Sequence, residues 1–319
     1  MRVRVLVVSI AVAACSTAGT RQSSQGASGV DAGPFRPLTV DGGTLPDLVF
    51  AVVGDTRPYA ENDNAGYPSA VIRGIYEDLA TVSPAPLFVI ATGDYQYVSP
   101  GSGNSAPQLG AYLQARAAYP GTLFPAMGNH ECTGATASEC GPDGADGETE
   151  NYKTFLSMLD APIGATAPYY AVPLRAADGS WTAKLVVIAA NAWDSAQAAW
   201  LTAALATQTT YTLLVQHEPT TDVSDLAALA DINAIVAAAP QPPTLYLVGH
   251  SHTFEGVEGV ANEVVVGNGG VPYTQGDFGY ALVVRQPGGD LQLTQYDWTS
   301  NLPTAGGISL TVTPAGQSK

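Results

Sequence analysis

Three features of this 319-residue chain predict an α/β fold. Short apolar runs alternate with segments of helical periodicity. The runs are apolar at consecutive positions, as in strands covered on both faces. The final third is rich in strand-like pieces, which points to a mixed sheet, or two sheets, between helices.

The elements follow in order. Residues 48–53 (Leu-Val-Phe-Ala-Val-Val) form the first buried strand, and Val71, Ile72, Ile75, Tyr76 and Leu79 then recur at helical spacing. Residues 87–91 are a second strand, 109–118 a helix and 122–127 a third strand. After a Gly- and acid-rich excursion over 131–150, Tyr152, Phe155, Leu156 and Leu159 mark another helix. Strands are expected at 169–174, 184–190 and 211–216, with a helix at 195–206. Residues 223–238 read as a helix with Leu226, Leu229, Ile232 and Val236 on one face. Strand-like pieces close the chain at 244–248, 263–267, 279–285 and 290–297. There is no internal repeat and no second domain boundary.

Hydrophobic residues make up 46% and charged residues 13%, which suits a large core and excludes a disordered chain. The net charge of −16 repels nucleic acid and anionic lipid at long range, so no nucleic-acid partner is expected. An anionic ligand would need local positive charge, which bound metal cations can supply.

The N-terminus reads as an export signal. Arg2 and Arg4 precede an apolar stretch, Val5–Ala14, too short to span a bilayer. Val12-Ala13-Ala14-Cys15 resembles the bacterial lipobox, which implies lipidation of Cys15, a membrane partner through that anchor, and a place in the cell envelope. The residues after it, Ser16-Thr17, lack an inner-membrane retention aspartate, so the outer membrane is expected if the source has two membranes. An ordinary secretory signal with an incidental cysteine is the alternative. The partition is then 1–14 signal peptide, 15–46 flexible tether, 47–298 catalytic-type domain and 299–319 C-terminal tail. No other segment is apolar enough to cross a membrane. Cys132 and Cys140 remain, close enough in an exported chain to expect a disulfide. Closing so short a loop contributes ~2.5 kcal/mol in the chain-entropy model. Metal binding by this pair is the alternative, with a spacing unlike usual zinc patterns.

All four histidines fall in short motifs. They are His130 in Gly-Asn-His-Glu (128–131), His217 in Val-Gln-His-Glu-Pro (215–219), and His250 and His252 in Gly-His-Ser-His (249–252). Upstream, Gly54-Asp55 and Gly93-Asp94 each close an apolar run. Asp55, Asp94, Asn129, His217 and His250 all lie at or just past a predicted strand end, where ligands collect in open α/β folds. Glycines 54, 93, 128 and 249 precede the key residues and permit sharp turns that aim side chains at one centre. Two ions ~3.5–4 Å apart need several ligands and a bridging carboxylate. Singly, these residues read as turn residues, caps or loop histidines. Together they point to two-metal phosphate ester hydrolysis.

The pattern resembles the calcineurin-like metallophosphoesterase superfamily over roughly residues 48–298. Its motifs run Asp-x-His, Gly-Asp, Gly-Asn-His-Asp/Glu, a lone His, then Gly-His-x-His, and they occur here in that order. One departure is Asp55-Thr56-Arg57, with arginine where the family usually places a histidine ligand. Arginine cannot ligate a metal. However, Gly93-Asp94-Tyr95-Gln96-Tyr97 resembles the Gly-Asp-x-x-Tyr of the purple acid phosphatase branch, whose tyrosine ligates ferric iron. The tail Gly-His-Ser-His-Thr-Phe-Glu (249–255) is similar to that branch too.

The resemblance implies a sandwich of two mixed β-sheets flanked by helices, with the metal site at the strand ends. It implies that Asp55, Tyr97 and His252 hold a first ion, Fe(III), with Asp94 bridging. Asn129, His217 and His250 would complete a second site for Zn, Mn or Fe(II). His130 would donate a proton to the leaving alkoxide or bind phosphate, Glu131 would orient and polarise His130, and a metal-bound hydroxide would attack phosphorus. Arg57 fits either a substrate phosphate or a structural ion pair. Tyr97 keeps a packing role as its alternative, beside Tyr95. Asn191 and Trp193 read by default as core or turn residues, and Gly267-Asn268-Gly269-Gly270 as a turn near the site. The leading function is a phosphomonoesterase acting on a small phosphate ester. A phosphodiesterase or nucleotide pyrophosphatase on the same scaffold, and a non-catalytic surface binding protein, are the alternatives.

Overall fold

Strand side chains in this protein alternate between a core shared by two sheets and a layer of helices outside each sheet. The computed structural model describes residues 42–132, 149–223, 225–272 and 276–319. All of them fall in one unit, Phe35–Lys319. The lipobox with Cys15, most of the expected tether and Cys140 lie outside the described residues.

The first sheet contains β2 (Val49–Val53), β3 (Phe88–Ala91), β4 (Thr122–Pro125), β11 (Gly279–Arg285), β12 (Leu291–Asp297), β13 (Leu302–Pro303) and β14 (Ser309–Val312). Its order is β13-β12-β11-β2-β3-β4, with β14 also paired to β12. Strands β2, β3 and β4 are parallel, and β11 joins β2 antiparallel. The second sheet contains β1 (Thr44–Leu45), β5 (Tyr170–Ala176), β6 (Thr182–Val187), β7 (Tyr211–Val215), β8 (Leu245–Val248), β9 (Phe254–Gly256) and β10 (Glu263–Val266), in the order β1-β5-β6-β7-β8-β10-β9. Here β6, β7, β8 and β10 run parallel. Both sheets are mixed, as expected.

Burial on both faces explains the continuous apolar runs. Phe50 and Val52 of β2 point into the inter-sheet core with Phe88, Ile90, Leu185, Leu213 and Leu247. Their neighbours Ala51 and Val53 pack under α1 (Ser69–Leu79) and α2 (Ser105–Arg116), against Ile72, Ile75 and Leu109. On the far side, Val186, Leu214 and Tyr246 are covered by Trp200, Leu201 and Leu205 of α4 (Ser195–Ala206) and Ile232 of α5 (Leu226–Ala238). Trp193 belongs to this outer layer, with its Nε1 donating to Asp231 Oδ2 at 3.3 Å.

Several expectations shift. Helix α2 starts at Ser105, four residues before the predicted 109, because Pro107 is tolerated in a first turn. The helix expected around Tyr152–Leu159 is α3 (Glu150–Phe155) followed by a π turn and a 3-10 turn containing Pro162. Helix α5 begins only at Leu226, after its cap Asp225, so Leu226 sits in the first turn and stays 75% exposed. Leu229, Ile232 and Val236 do pack on the sheet. The segment 299–319, expected as a tail, adds β13 and β14 to the edge of β12. Two residues of the expected tether, Thr44 and Leu45, pair with β5. Among the described residues no helix is long and apolar enough to cross a membrane.

Phe88 anchors the inter-sheet core. It stacks on Phe50 at 5.2 Å and meets Phe124 edge-on at 5.5 Å. Removing the ring leaves a cavity between two rigid sheets. Phe88→Ala is therefore expected to destabilise the protein by about 3–5 kcal/mol, read from the shift of the urea unfolding midpoint at constant slope.

Candidate metal centre

The carboxyl ends of strands from both sheets meet at one cluster. Asp55 follows β2, Asp94 follows β3, and Asn129 and His130 follow β4 in a 3-10 turn over Asn129–Glu131. His217 follows β7, while His250 and His252 lie between β8 and β9. Four of these residues adopt left-handed backbone: Asp55 (φ 54°), Asp94 (57°), His250 (73°) and His252 (55°). Such conformations cost roughly 1–3 kcal/mol each for non-glycine residues and persist only where the surroundings enforce them. The motif glycines serve differently from expectation. Of glycines 54, 93, 128 and 249, only Gly93 has positive φ (113°). The others supply space: a Cβ on Gly128 would lie 2.2 Å from Asp94 Oδ1, and one on Gly249 2.6 Å from Asp55 Oδ2.

Asp94 is the hub. Its Oδ1 lies 3.3 Å from His217 Nε2 and accepts the His130 amide at 3.2 Å. Its Oδ2 lies 3.4 Å from Arg57 Nε and 3.7 Å from His130 Nε2. Burial alone would raise its pKa, yet the charges of His217, His130 and Arg57 hold it well below the usual carboxylate range. Asp55 is the opposite case. Burial pushes its carboxyl up to about 8, with the help of Asp94 and against His217 and Arg57. Its Oδ2 accepts the His250 amide at 3.0 Å, while the buried Oδ1 has no hydrogen-bond partner. That oxygen lies 3.7 Å from His252 Nε2.

Two of the histidines are oriented by backbone carbonyls. His252 Nδ1 donates to Val271 O at 2.6 Å, leaving a lone pair on Nε2. Burial and Arg57 lower its pKa to about 4, so the ring is neutral. His217 Nδ1 faces Thr92 O at 2.9 Å. Burial would lower the His217 pKa, but Asp94 and Asp55 raise it to about 10. Metal binding at Nε2 would release that proton.

The donor set fits metal ions. Asp55, Asp94 and His252 each bring a ligand atom within 4.8 Å of the others. A second set surrounds His217 Nε2: Asn129 Oδ1 at 3.1 Å, Asp94 Oδ1 at 3.3 Å and His250 Nδ1 at 3.3 Å. Ligands ~2.0–2.2 Å from a common ion stand ~3.0–3.5 Å apart, the spacing found in this second set. The unpartnered Asp55 Oδ1 adds a buried acceptor that calls for a cation.

Glu131 and Arg57 make contacts that the sequence did not specify. Glu131, expected to orient His130, has oxygens that accept three backbone amides, from Asp94 and Gly128 (Oε2, both 2.9 Å) and Tyr95 (Oε1, 2.9 Å). It ties the β3 loop to the β4 loop and so positions Asp94. Arg57 lies over the Tyr97 ring at 4.6 Å, and its Nη2 donates to His252 Nε2 at 2.9 Å. The guanidinium thus touches two members of the Asp55–Asp94–His252 set. Tyr97 itself meets the His130 ring edge-on at 4.5 Å and lines a recess with Arg57 and His252. Its neighbour Tyr95 is a core residue whose hydroxyl bonds Ala91 O and Ala126 O. Sequence reasoning missed Asn151, which ties His130 O to Val98 O, and Gln108, which accepts the Tyr97 amide. It also missed the carbonyls of Thr92 and Val271, and a carbonyl leaves no trace in a sequence. Gly267–Gly270 is a turn beside the site, with Gly269 N donating to Gly54 O.

A family model for calcineurin-like phosphoesterases matches residues 48–254. The chain belongs to that family. Solved structures agree on the fold. A purple acid phosphatase from yellow lupin (Lupinus luteus) seeds superposes with a TM-score of 0.60 at 15% identity, over 86% of this chain and 55% of that one. The chain therefore spans about half of the lupin protein's length. A dimetal phosphatase from Danio rerio gives 0.55 at 13% identity, over 84% and 99%. GAP50, the anchor in the inner membrane complex of Plasmodium, gives 0.59 at 12% identity, over 84% and 89%. No curated protein matches the chain by sequence comparison. This calcineurin-like phosphoesterase is thus a metal-dependent hydrolase by family and by its donor atoms, with a purple acid phosphatase among its structural relatives.

Arg57 makes loading of this phosphoesterase testable. An ion entering among Asp55, Asp94 and His252 must displace the guanidinium from two of them. A buried hydrogen bond to a charged group is worth about 1.5–3 kcal/mol. Arg57→Gln is expected to tighten binding of that ion about tenfold or more, measured by isothermal titration calorimetry on metal-stripped protein.

Proposed function

We propose that this chain is an exported phosphomonoesterase that works through a dinuclear metal centre. The observation that carries this reading is the convergence of two donor sets on the single buried carboxylate of Asp94. Asp55, His252 and Tyr97 would hold the first ion, Asn129, His217 and His250 the second, and Asp94 would bridge them. When bound, the ions supply Lewis-acid charge to the phosphoryl oxygens and lower the pKa of the attacking water. Arg57, with its fork of donors at the recess, would bind the phosphate oxygens once displaced from His252. His130, with Nε2 beside Asp94 Oδ2, would pass its proton to the leaving alkoxide. Glu131 acts through Asp94 as a positioning residue.

Fe(III) is our assignment for the first ion, because a tyrosinate is a hard oxygen donor; Zn, Mn or Fe(II) suits the mixed second site. The burial of Tyr95 with both its carbonyl bonds favours Tyr97 as the donor. A diesterase or nucleotide pyrophosphatase is the second reading on this scaffold. A non-catalytic surface binding protein that keeps the fold is the third. The two donor sets that meet at Asp94 favour hydrolysis over it. Lipid anchoring through Cys15, with the protein on the outer membrane of a two-membrane cell, and a Cys132–Cys140 disulfide complete the proposal.

Asp94→Ala is expected to lose both ions and nearly all turnover, by elemental analysis and phosphate release. His130→Ala should keep the ions while kcat falls ~10²–10⁴-fold, as for a lost general acid. Full metal content and turnover in Asp94→Ala would refute the dinuclear reading.

A ferric tyrosinate absorbs visible light by charge transfer, and the adjacent ferric charge would keep the phenol ionised at neutral pH. Iron-loaded protein is therefore expected to be coloured. Tyr97→Phe should abolish the colour and Tyr95→Phe should not. A colourless ferric protein would remove Tyr97 from the donor set.

A further inference from the structure

We propose that the substrates of this site carry an apolar group the size of an aromatic ring on the esterified oxygen, and that Tyr59 recognises it. The inference rests on the phosphomonoesterase reading above. The recess of about 310 Å³ that opens at Arg57 and His252 continues outward along Tyr97, Tyr59, Val271 and Pro272. A second recess of about 460 Å³ adjoins it, sharing Tyr59, Val271 and Pro272 and reaching Pro68 and Phe278.

The chemistry of the walls changes along this path. The inner end offers the Arg57 guanidinium, suited to a phosphate. Among the described residues, no charged side chain lines the outer recess. A nucleoside diphosphate would present a second phosphate there and find no cation to meet it, which disfavours the pyrophosphatase reading. An apolar group would instead exchange water for ring and proline surfaces.

Tyr59 stands at the junction of the two recesses. It is 83% exposed, an aromatic ring left in water. Its position is tied to the phosphate end: Arg57 Nη1 donates to Pro58 O at 3.1 Å, and Pro58 fixes the backbone between them. At the far wall, Phe278 is held edge-on against Trp298 at 6.3 Å. An ester with its phosphate at Arg57 would lay its organic group across Tyr59 toward Phe278.

The test compares 2-phenylethyl phosphate with 2-hydroxyethyl phosphate. Both release primary alcohols of similar acidity, so the chemical step is matched and the difference reports the recess. The metal-loaded wild type is expected to favour the phenylethyl ester about tenfold or more in kcat/KM, mainly through KM. Tyr59→Ala should remove most of that preference by slowing the phenylethyl ester alone, with metal content unchanged. Tyr59→Phe should retain it. Competitive inhibition by 2-phenylethylphosphonate should weaken in Tyr59→Ala, while inhibition by methylphosphonate should not. Equal kcat/KM for the two esters in the wild type, or a preference that survives Tyr59→Ala, overturns the proposal and leaves the phosphomonoesterase reading standing. Turnover of neither ester by metal-loaded protein overturns both.

Discussion

The buried carboxylate of Asp94 is the constraint around which the rest of the structure is arranged. It is 1% exposed, and an ionised carboxylate removed from water must find positive charge or donors nearby. His217, His130 and Arg57 supply that charge from three separate strand ends, and Glu131 fixes the loop that carries it. Ions held by the two donor sets would share this carboxylate. The same burial that makes Asp94 costly to hold makes it an effective anchor for cations.

Both sheets are needed to build this environment. Asp55, Asp94 and Asn129 come from the first sheet, and His217, His250 and His252 from the second. The inter-sheet core of Phe50, Phe88, Leu213 and Leu247 therefore sets the distance between the two halves of the donor set. Tyr170 of the second sheet reinforces that spacing by donating to Pro125 O, just before Asn129. Local strain is tolerated at the meeting point because the packed sheets leave the loops little choice. Four donors in left-handed backbone and glycines that admit the carboxylates are the local signature of that pressure.

The electrostatics reconcile an acidic chain with an anionic substrate. A net charge of −16 disfavours approach of a phosphate ester over most of the surface. At the recess, Arg57 and bound metal ions would reverse that sign locally, and among the described residues no charged side chain lines the outer walls. On the proposed reading, attraction is confined to the place where it is used, and the uncharged walls would select for what else the ester carries.

The residue types, their order and their attachment to strand ends were legible in the sequence. Buried strands leave continuous apolar runs, and ligands at strand ends fall next to those runs in short motifs. Histidine is scarce enough here that its placement is informative. Glu131 and Arg57 were visible as candidates, but their partners were not. A contact such as Arg57 to His252 joins residues 195 positions apart, and its geometry is set by how the two sheets pack. The edge strands β13 and β14 escaped notice because their short, half-exposed segments lack an apolar run. The carbonyls of Thr92 and Val271 orient two histidines, yet every residue has a carbonyl, so only the fold decides which ones matter. Composition and local pattern determined that this chain would gather metal donors at strand ends. Tertiary packing alone decided which atoms face one another, because the donors belong to loops that only the assembled sandwich brings within reach.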